Sequence, residues 1–247
     1  MFGSYDLVVT LLGVIASLGA VVVCLRQKAF QAYMFLNLYL LFSIIHSLGT
    51  LYFIKSFGYE SLAYFYFYYF GDVIASILGY LLIASFFDRL LRRSMFAPYV
   101  RPTLTIFFLL VVGVSALFVL QNYSRLYSRF LIELQQNMFF VGVVLTFLLW
   151  ISMNYLHAEN RRFVLLVSGL GIYFSAHAAN YALRFFFRAS DDPTMAAALS
   201  RIPPLAYILM VSLWLYTFWR VPVGEPAVEP IARGRPEENL VKVHLST

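Results

Sequence analysis

Apolar runs of roughly 18 residues or more recur along the whole chain, and each is long enough to cross the ~30 Å hydrocarbon core of a bilayer as a helix. VVTLLGVIASLGAVVVCL, residues 8–25, is the first of them. The short alternating segments that build a membrane barrel are not found. Only 12% of the 247 residues are charged while 62% are hydrophobic, about half the charge expected of a soluble domain. The pattern predicts an all-α, polytopic membrane protein: a bundle of seven transmembrane helices. The spans are expected near 6–25, 31–54, 62–87, 103–121, 134–156, 163–186 and 204–221, so that residues 1–221 form one seven-helix domain. Residues 222–247 are rich in Pro and Glu and poor in apolar side chains, and read as a disordered cytoplasmic tail.

The first run lacks a basic leader. Asp6 precedes it and CLRQK follows it, which reads as an anchor rather than a cleaved signal. The Lys and Arg residues divide unequally between the two sets of loops. Twelve fall on one side, among them Arg26, Lys28, Arg89, Arg92, Arg93, Arg101, Arg161 and Arg162, against six on the other. Positive charge collects on the cytoplasmic side of membrane proteins, so the N-terminus is expected outside and the C-terminus inside, in a bacterial inner (plasma) membrane. The net charge of +6 is no sign of nucleic acid. The basic residues sit at the ends of apolar runs, where topology and lipid headgroups account for them. A single cysteine, Cys24, excludes an intrachain disulfide and a Cys-rich metal site.

Between the spans the loops are short. The longest outer connection contains ASDDPTMAAALSR, where Asp192 followed by Pro193 signals a helix start; a short surface helix is expected there. QNYSRLYSRF repeats Tyr-Ser-Arg at a spacing of four, which suits lipid-headgroup contact. No internal repeat marks an inverted-repeat transporter.

Ionisable residues inside a span are expensive and usually face the bundle interior or a wet cavity. Three lie well inside: His46, Asp72 and His177. At 1.5 Å per residue, His46 is roughly 13 Å from Lys55, Asp72 roughly 15 Å from Leu62 and His177 roughly 10 Å from Arg184, so all three sit at similar depth. Each belongs to a polar stripe at helical spacing. The second span offers Tyr39, Ser43, His46 and Thr50; the third Tyr69, Asp72, Ser76 and Tyr80; the sixth Tyr173, His177, Asn180 and Arg184. The stripes predict a polar core or ligand pocket opening outward, formed by His46, Asp72, His177, Asn180, Ser43, Ser76, Tyr69 and Arg184. The alternative is a structural lock in which Asp72 pairs with a histidine or Arg184. An Asp–His pair would also be a proton-responsive switch. Tyr64 to Phe70 are seven consecutive aromatics, an interfacial anchor some of whose rings must turn inward, where a flat apolar ligand could stack.

Seven spans with the N-terminus outside look like the receptor-type architecture, and FFDRLLRR, with Asp88 and Arg89, resembles the acidic–Arg pair that G-protein-coupled receptors carry at that point. The retinal-binding lysine of microbial rhodopsins has no counterpart in PPLAYILMVSLWLYTFWR. Ser43, His46 and Asp72 are partly similar to the second- and third-span ligands of seven-helix zinc amidohydrolases, but the spacing is Ser-x-x-His and the seventh span has no histidine. In layout the chain resembles bacterial standalone seven-helix membrane proteins and the seven-helix sensor regions of signalling proteins. That resemblance implies a receptor-like or sensory module that takes a small or lipidic ligand and signals through a separate cytoplasmic partner. Three other functions stay open. One is an accessory subunit of a membrane complex, among lipids and other subunits. Another is a b-type haem protein with His46 and His177 as axial ligands. The third is a metal-dependent hydrolase using His46, Asp72 and His177, for which no general base is evident. An enzyme is the less favoured class, and no resident cofactor is expected.

Overall fold

A chain surrounded by hydrocarbon must satisfy its backbone hydrogen bonds internally, and helices do so segment by segment. The computed structural model describes residues 4–92, 94–120, 126–156, 160–187 and 193–221. They form α1 (Ser4–Arg26), α2 (Met34–Phe57), α3 (Leu62–Leu91), α4 (Ala97–Leu120), α5 (Leu126–Tyr155), α6 (Arg161–Phe186) and α7 (Pro193–Arg220). All seven are long and apolar enough to cross a membrane, as a multi-pass membrane protein requires. Large apolar side chains such as Ile15, Ile45, Ile106 and Phe147 point outward, an arrangement hostile to water and natural in lipid.

Local chemistry sets the helix ends. The Ser61 hydroxyl accepts from the Tyr64 N–H at 3.2 Å and starts α3. The Asn160 side chain accepts from the Arg162 and Phe163 N–H groups at 3.1 and 3.3 Å and starts α6. Such caps satisfy the free donors of a first turn. After α2 the chain turns at Gly58, whose φ of 80° is open to glycine at little cost.

Helices α1, α2, α3, α5, α6 and α7 pack in that order around a closed ring, and α4 lies outside it against α3 and α5. The interior is filled with rings. Trp214 is fully buried and its indole N–H donates to the Leu166 carbonyl at 3.0 Å. Tyr39 meets Trp214 and Tyr173 edge-on. Phe174 fits only because α5 has a glycine opposite: a Cβ on Gly142 would lie 2.2 Å from its ring.

Three helices begin well before the apolar stretches that announced them: α4 at Ala97 rather than 103, α5 at Leu126 rather than 134, and α7 at Pro193 rather than 204. Pro102 lies in the second turn of α4, where its missing N–H costs a single bond. The helix expected at Asp192–Pro193 does begin at Pro193, but as the start of α7 itself. It continues through Pro203 and Pro204 to Arg220; membrane helices tolerate proline because neighbouring groups take up the freed carbonyls. The tail 222–247, Arg93 and all of QNYSR (121–125) lie outside the described residues.

Candidate functional site

Asp72 stands ten residues into α3, one position after Gly71. Its Oδ2 accepts a hydrogen bond from the Gln135 side-chain amide of α5 at 3.1 Å. The Tyr68 hydroxyl, one turn earlier on α3, also interacts with the carboxyl. His46 of α2 brings Nδ1 to 3.9 Å from Oδ1, beyond hydrogen-bond length. One carboxyl group therefore joins three helices, with a short contact to α5 and a long one to α2.

His46 reaches this place because α3 gives up a side chain. A Cβ on Gly71 would lie 2.1 Å from two atoms of the imidazole ring. The ring lies parallel to Phe42, with centroids 6.0 Å apart, and is flanked by Phe67 and Tyr68. Its Nε2 is buried and without a hydrogen-bond partner among the described residues. Beside it, a cleft of about 290 Å³ opens between α2 and α3, lined by Phe42, Ile45, His46, Phe67, Phe70 and Ile74. Ile45 and Phe70 are exposed on the outer surface of the bundle, so the cleft opens sideways on its apolar outer face.

The other residues of the polar stripes go elsewhere. His177 turns to its own helix and to α5. Its Nδ1 lies 3.0 Å from the Tyr173 carbonyl of its own helix, and its ring stacks on Phe139 at 4.3 Å. Among the described residues no hydrogen bond or ion pair joins it to Asp72 or His46. Asn180 is buried with its Oδ1 unpartnered among the described residues, and Arg184 is exposed. Ser76 donates to the Val73 carbonyl at 2.8 Å. Ser43 is buried beside Tyr39 and Tyr207, and the Tyr207 hydroxyl lies 2.8 Å from Ser17 Oγ of α1. Tyr69 packs on Phe65 and Tyr68. Tyr80 donates to the Leu104 carbonyl of α4. Among the described residues no three His, Cys, Asp or Glu side chains gather around a common point that could hold a metal ion.

Two participants were not singled out from the sequence. Gln135 opens the triplet Gln135–Gln136–Asn137 inside an otherwise apolar run, and that triplet was the available signal. Asn137 donates to Ser115 Oγ at 2.9 Å and fastens α4 to α5. The second is Arg162, at the opposite end of the bundle. It is almost wholly buried, with its guanidinium over the rings of Tyr33 and Phe218 at 5.5 and 4.8 Å. Its Nη2 donates to the Gln27 side-chain oxygen, and the Gln27 amide donates to the Phe218 carbonyl. Nε and Nη1 have no partner among the described residues.

Compared with known proteins, the chain matches no family model, no curated protein and no solved structure. Its own geometry carries the functional reading.

Proposed function

We propose that the chain is a receptor-like or sensory membrane module. Its ligand is a small apolar or lipidic molecule that enters the α2/α3 cleft from the outer half of the membrane. The observation that carries this reading is the adjacency of an apolar cleft to a weakly held carboxyl group. A molecule wedged between Ile45 and Phe70 presses on His46. His46 stands 3.9 Å from Asp72, and Asp72 is tied to α5 by one hydrogen bond from Gln135. Moving His46 therefore changes how α3 sits against α5. Helix α3 is 30 residues long and ends in Asp88 and Arg89, so a shift or rotation at Asp72 reaches the other end of the bundle. A separate cytoplasmic partner reads it there.

The test is a thermal-shift screen of small apolar molecules on the protein in mild detergent. The reading expects a stabiliser whose effect disappears in Ile45→Trp, which fills the cleft, and is reduced in Asp72→Asn. A stabiliser that acts equally on all three proteins, or none from a broad set, counts against it.

A further inference from the structure

A second concavity lies at the other end of the molecule, away from the α2/α3 cleft. Helices α2 and α4 both pack on α3 but not on each other. The gap leaves a groove of about 1070 Å³ over α3. Its floor is Ile77, Leu81, Leu104 and Phe108, and its mouth is Asp88, Arg89, Arg92 and Arg101.

The hydroxyl groups of the floor are already used. Ser85 donates to the Leu82 carbonyl, Thr105 to the Arg101 carbonyl and Tyr80 to the Leu104 carbonyl. Below the mouth the groove therefore offers an occupant only apolar contact. The mouth is different. Among the described residues Asp88 is the one acid lining it, and it is taken by Arg101 in a two-pronged contact at 2.9 and 3.2 Å. Arg89 makes a 3.4 Å bond to the Ala32 carbonyl and lies over the Tyr33 ring. Neither Arg89 nor Arg92 has a carboxylate partner among the described residues. Two guanidinium groups, Arg89 in the last turn of α3 and Arg92 at its C-cap, are left at the groove mouth. From Ile77 to Arg89 the groove runs about 18 Å along α3, slightly more than one leaflet's half of the ~30 Å hydrocarbon core.

We propose that this groove binds one anionic phospholipid, with its phosphate on Arg89 and Arg92 and an acyl chain along Ile77, Leu81 and Leu104. Guanidinium groups match phosphate oxygens in charge and in hydrogen-bond geometry. A zwitterionic headgroup would set its own cation against the arginines. A peptide would bring backbone polar groups over a floor whose Ser85, Thr105 and Tyr80 hydroxyls are already used.

The experiment is native mass spectrometry of the full chain released from nanodiscs of equal phosphatidylglycerol and phosphatidylcholine. The wild type should retain one phosphatidylglycerol in preference to phosphatidylcholine. The double variant Arg89→Ala/Arg92→Ala should lower that preference about tenfold or more. A second double variant, Arg26→Ala/Arg220→Ala, removes the same charge from elsewhere on the same end and should keep the preference. Equal retention of both lipids by the wild type overturns the proposal. So does an unchanged preference in the first variant, or an equal loss in both, since the last would mean a general charge effect.

Discussion

Asp72 and Arg162 are ionisable side chains set inside this bundle, and each is hydrogen-bonded to a glutamine of another helix or loop. Asp72 takes a hydrogen bond from Gln135, and Arg162 gives one to Gln27. Their surroundings differ. Asp72 stands next to His46, whose ring borders an open cleft. Arg162 is capped by Tyr33 and Phe218, and Gln27 is itself anchored to the Phe218 carbonyl. Interior charges are costly in either case. Enclosed by rings that also pack on each other, Arg162 fixes how α1, α2, α6 and α7 meet. Beside a cleft, Asp72 is a place where a bound molecule can change the packing of α2, α3 and α5.

The contrast predicts different tolerance to crowding. An added methyl at Gly142 meets Phe174 at 2.2 Å, and one at Gly71 meets His46 at 2.1 Å. Phe174 is almost fully buried and has no room to yield, whereas His46 can swing into the cleft. Overpacking costs about 1–3 kcal/mol. Gly142→Ala should fall near the upper end, about 3 kcal/mol, and Gly71→Ala near the lower, about 1 kcal/mol. Gly71→Ala should nevertheless abolish any ligand-dependent thermal shift. Gly113→Ala, with open space around it, should show no loss. Equilibrium unfolding in mixed detergent micelles measures all three, and equal costs at Gly71 and Gly142 would erase the distinction between an open and a sealed site.

At the sealed site the sharper variant is Gln27→Leu. It leaves a covered guanidinium without a hydrogen-bonded acceptor, which costs about 2 kcal/mol. The double variant Gln27→Leu/Arg162→Met replaces the polar pair by apolar volume and should recover most of that loss. Were the double variant as unstable as the single, Arg162 would owe its place to something besides Gln27 and the rings.

Much of this arrangement was legible in the sequence, though not all for the same reason. Spans are legible because each apolar run answers to the bilayer on its own, with no knowledge of its neighbours. Depth is legible because a helix rises 1.5 Å per residue, and His46 and Asp72 at equal depth on adjacent helices do lie 3.9 Å apart. The same argument applied to His177 leads elsewhere. Depth says nothing about which way a helix face turns, and that ring faces Phe139. Gln135 escaped notice because the identity of the helix opposite Asp72 depends on the order of packing, with α4 set outside the ring. Arg162 was hidden by its neighbour. Arg161 and Arg162 both enter a count of loop charges, yet only Arg161 is exposed, since successive residues on a helix point about 100° apart.

At the open site, the charge and the hydrogen bond can be separated. Asp72→Asn keeps an oxygen for Gln135 to donate to and removes the charge, so stability should change little. Gln135→Leu leaves the carboxyl without its α5 donor and should cost about 1 kcal/mol. Both are read by the same unfolding measurement. If Asp72→Asn proved much the more damaging of the two, Asp72 would be a structural lock of the same kind as Arg162.

The smallest stability effect belongs to an ion pair outside both sites. Arg101 and Asp88 make good contacts at 2.9 and 3.2 Å, but the Arg101 side chain is 80% exposed. Ion pairs so open to solvent are screened and hold little net energy. Arg101→Ala should leave the melting temperature unchanged. Its effect should appear in the lipid instead. Freed from Arg101, the Asp88 carboxylate would stand at the mouth of the α3 groove beside Arg89 and oppose an anionic headgroup. Retention of phosphatidylglycerol should therefore fall in Arg101→Ala and return in Asp88→Asn/Arg101→Ala. Retention that ignores both substitutions would place the phosphate away from this mouth.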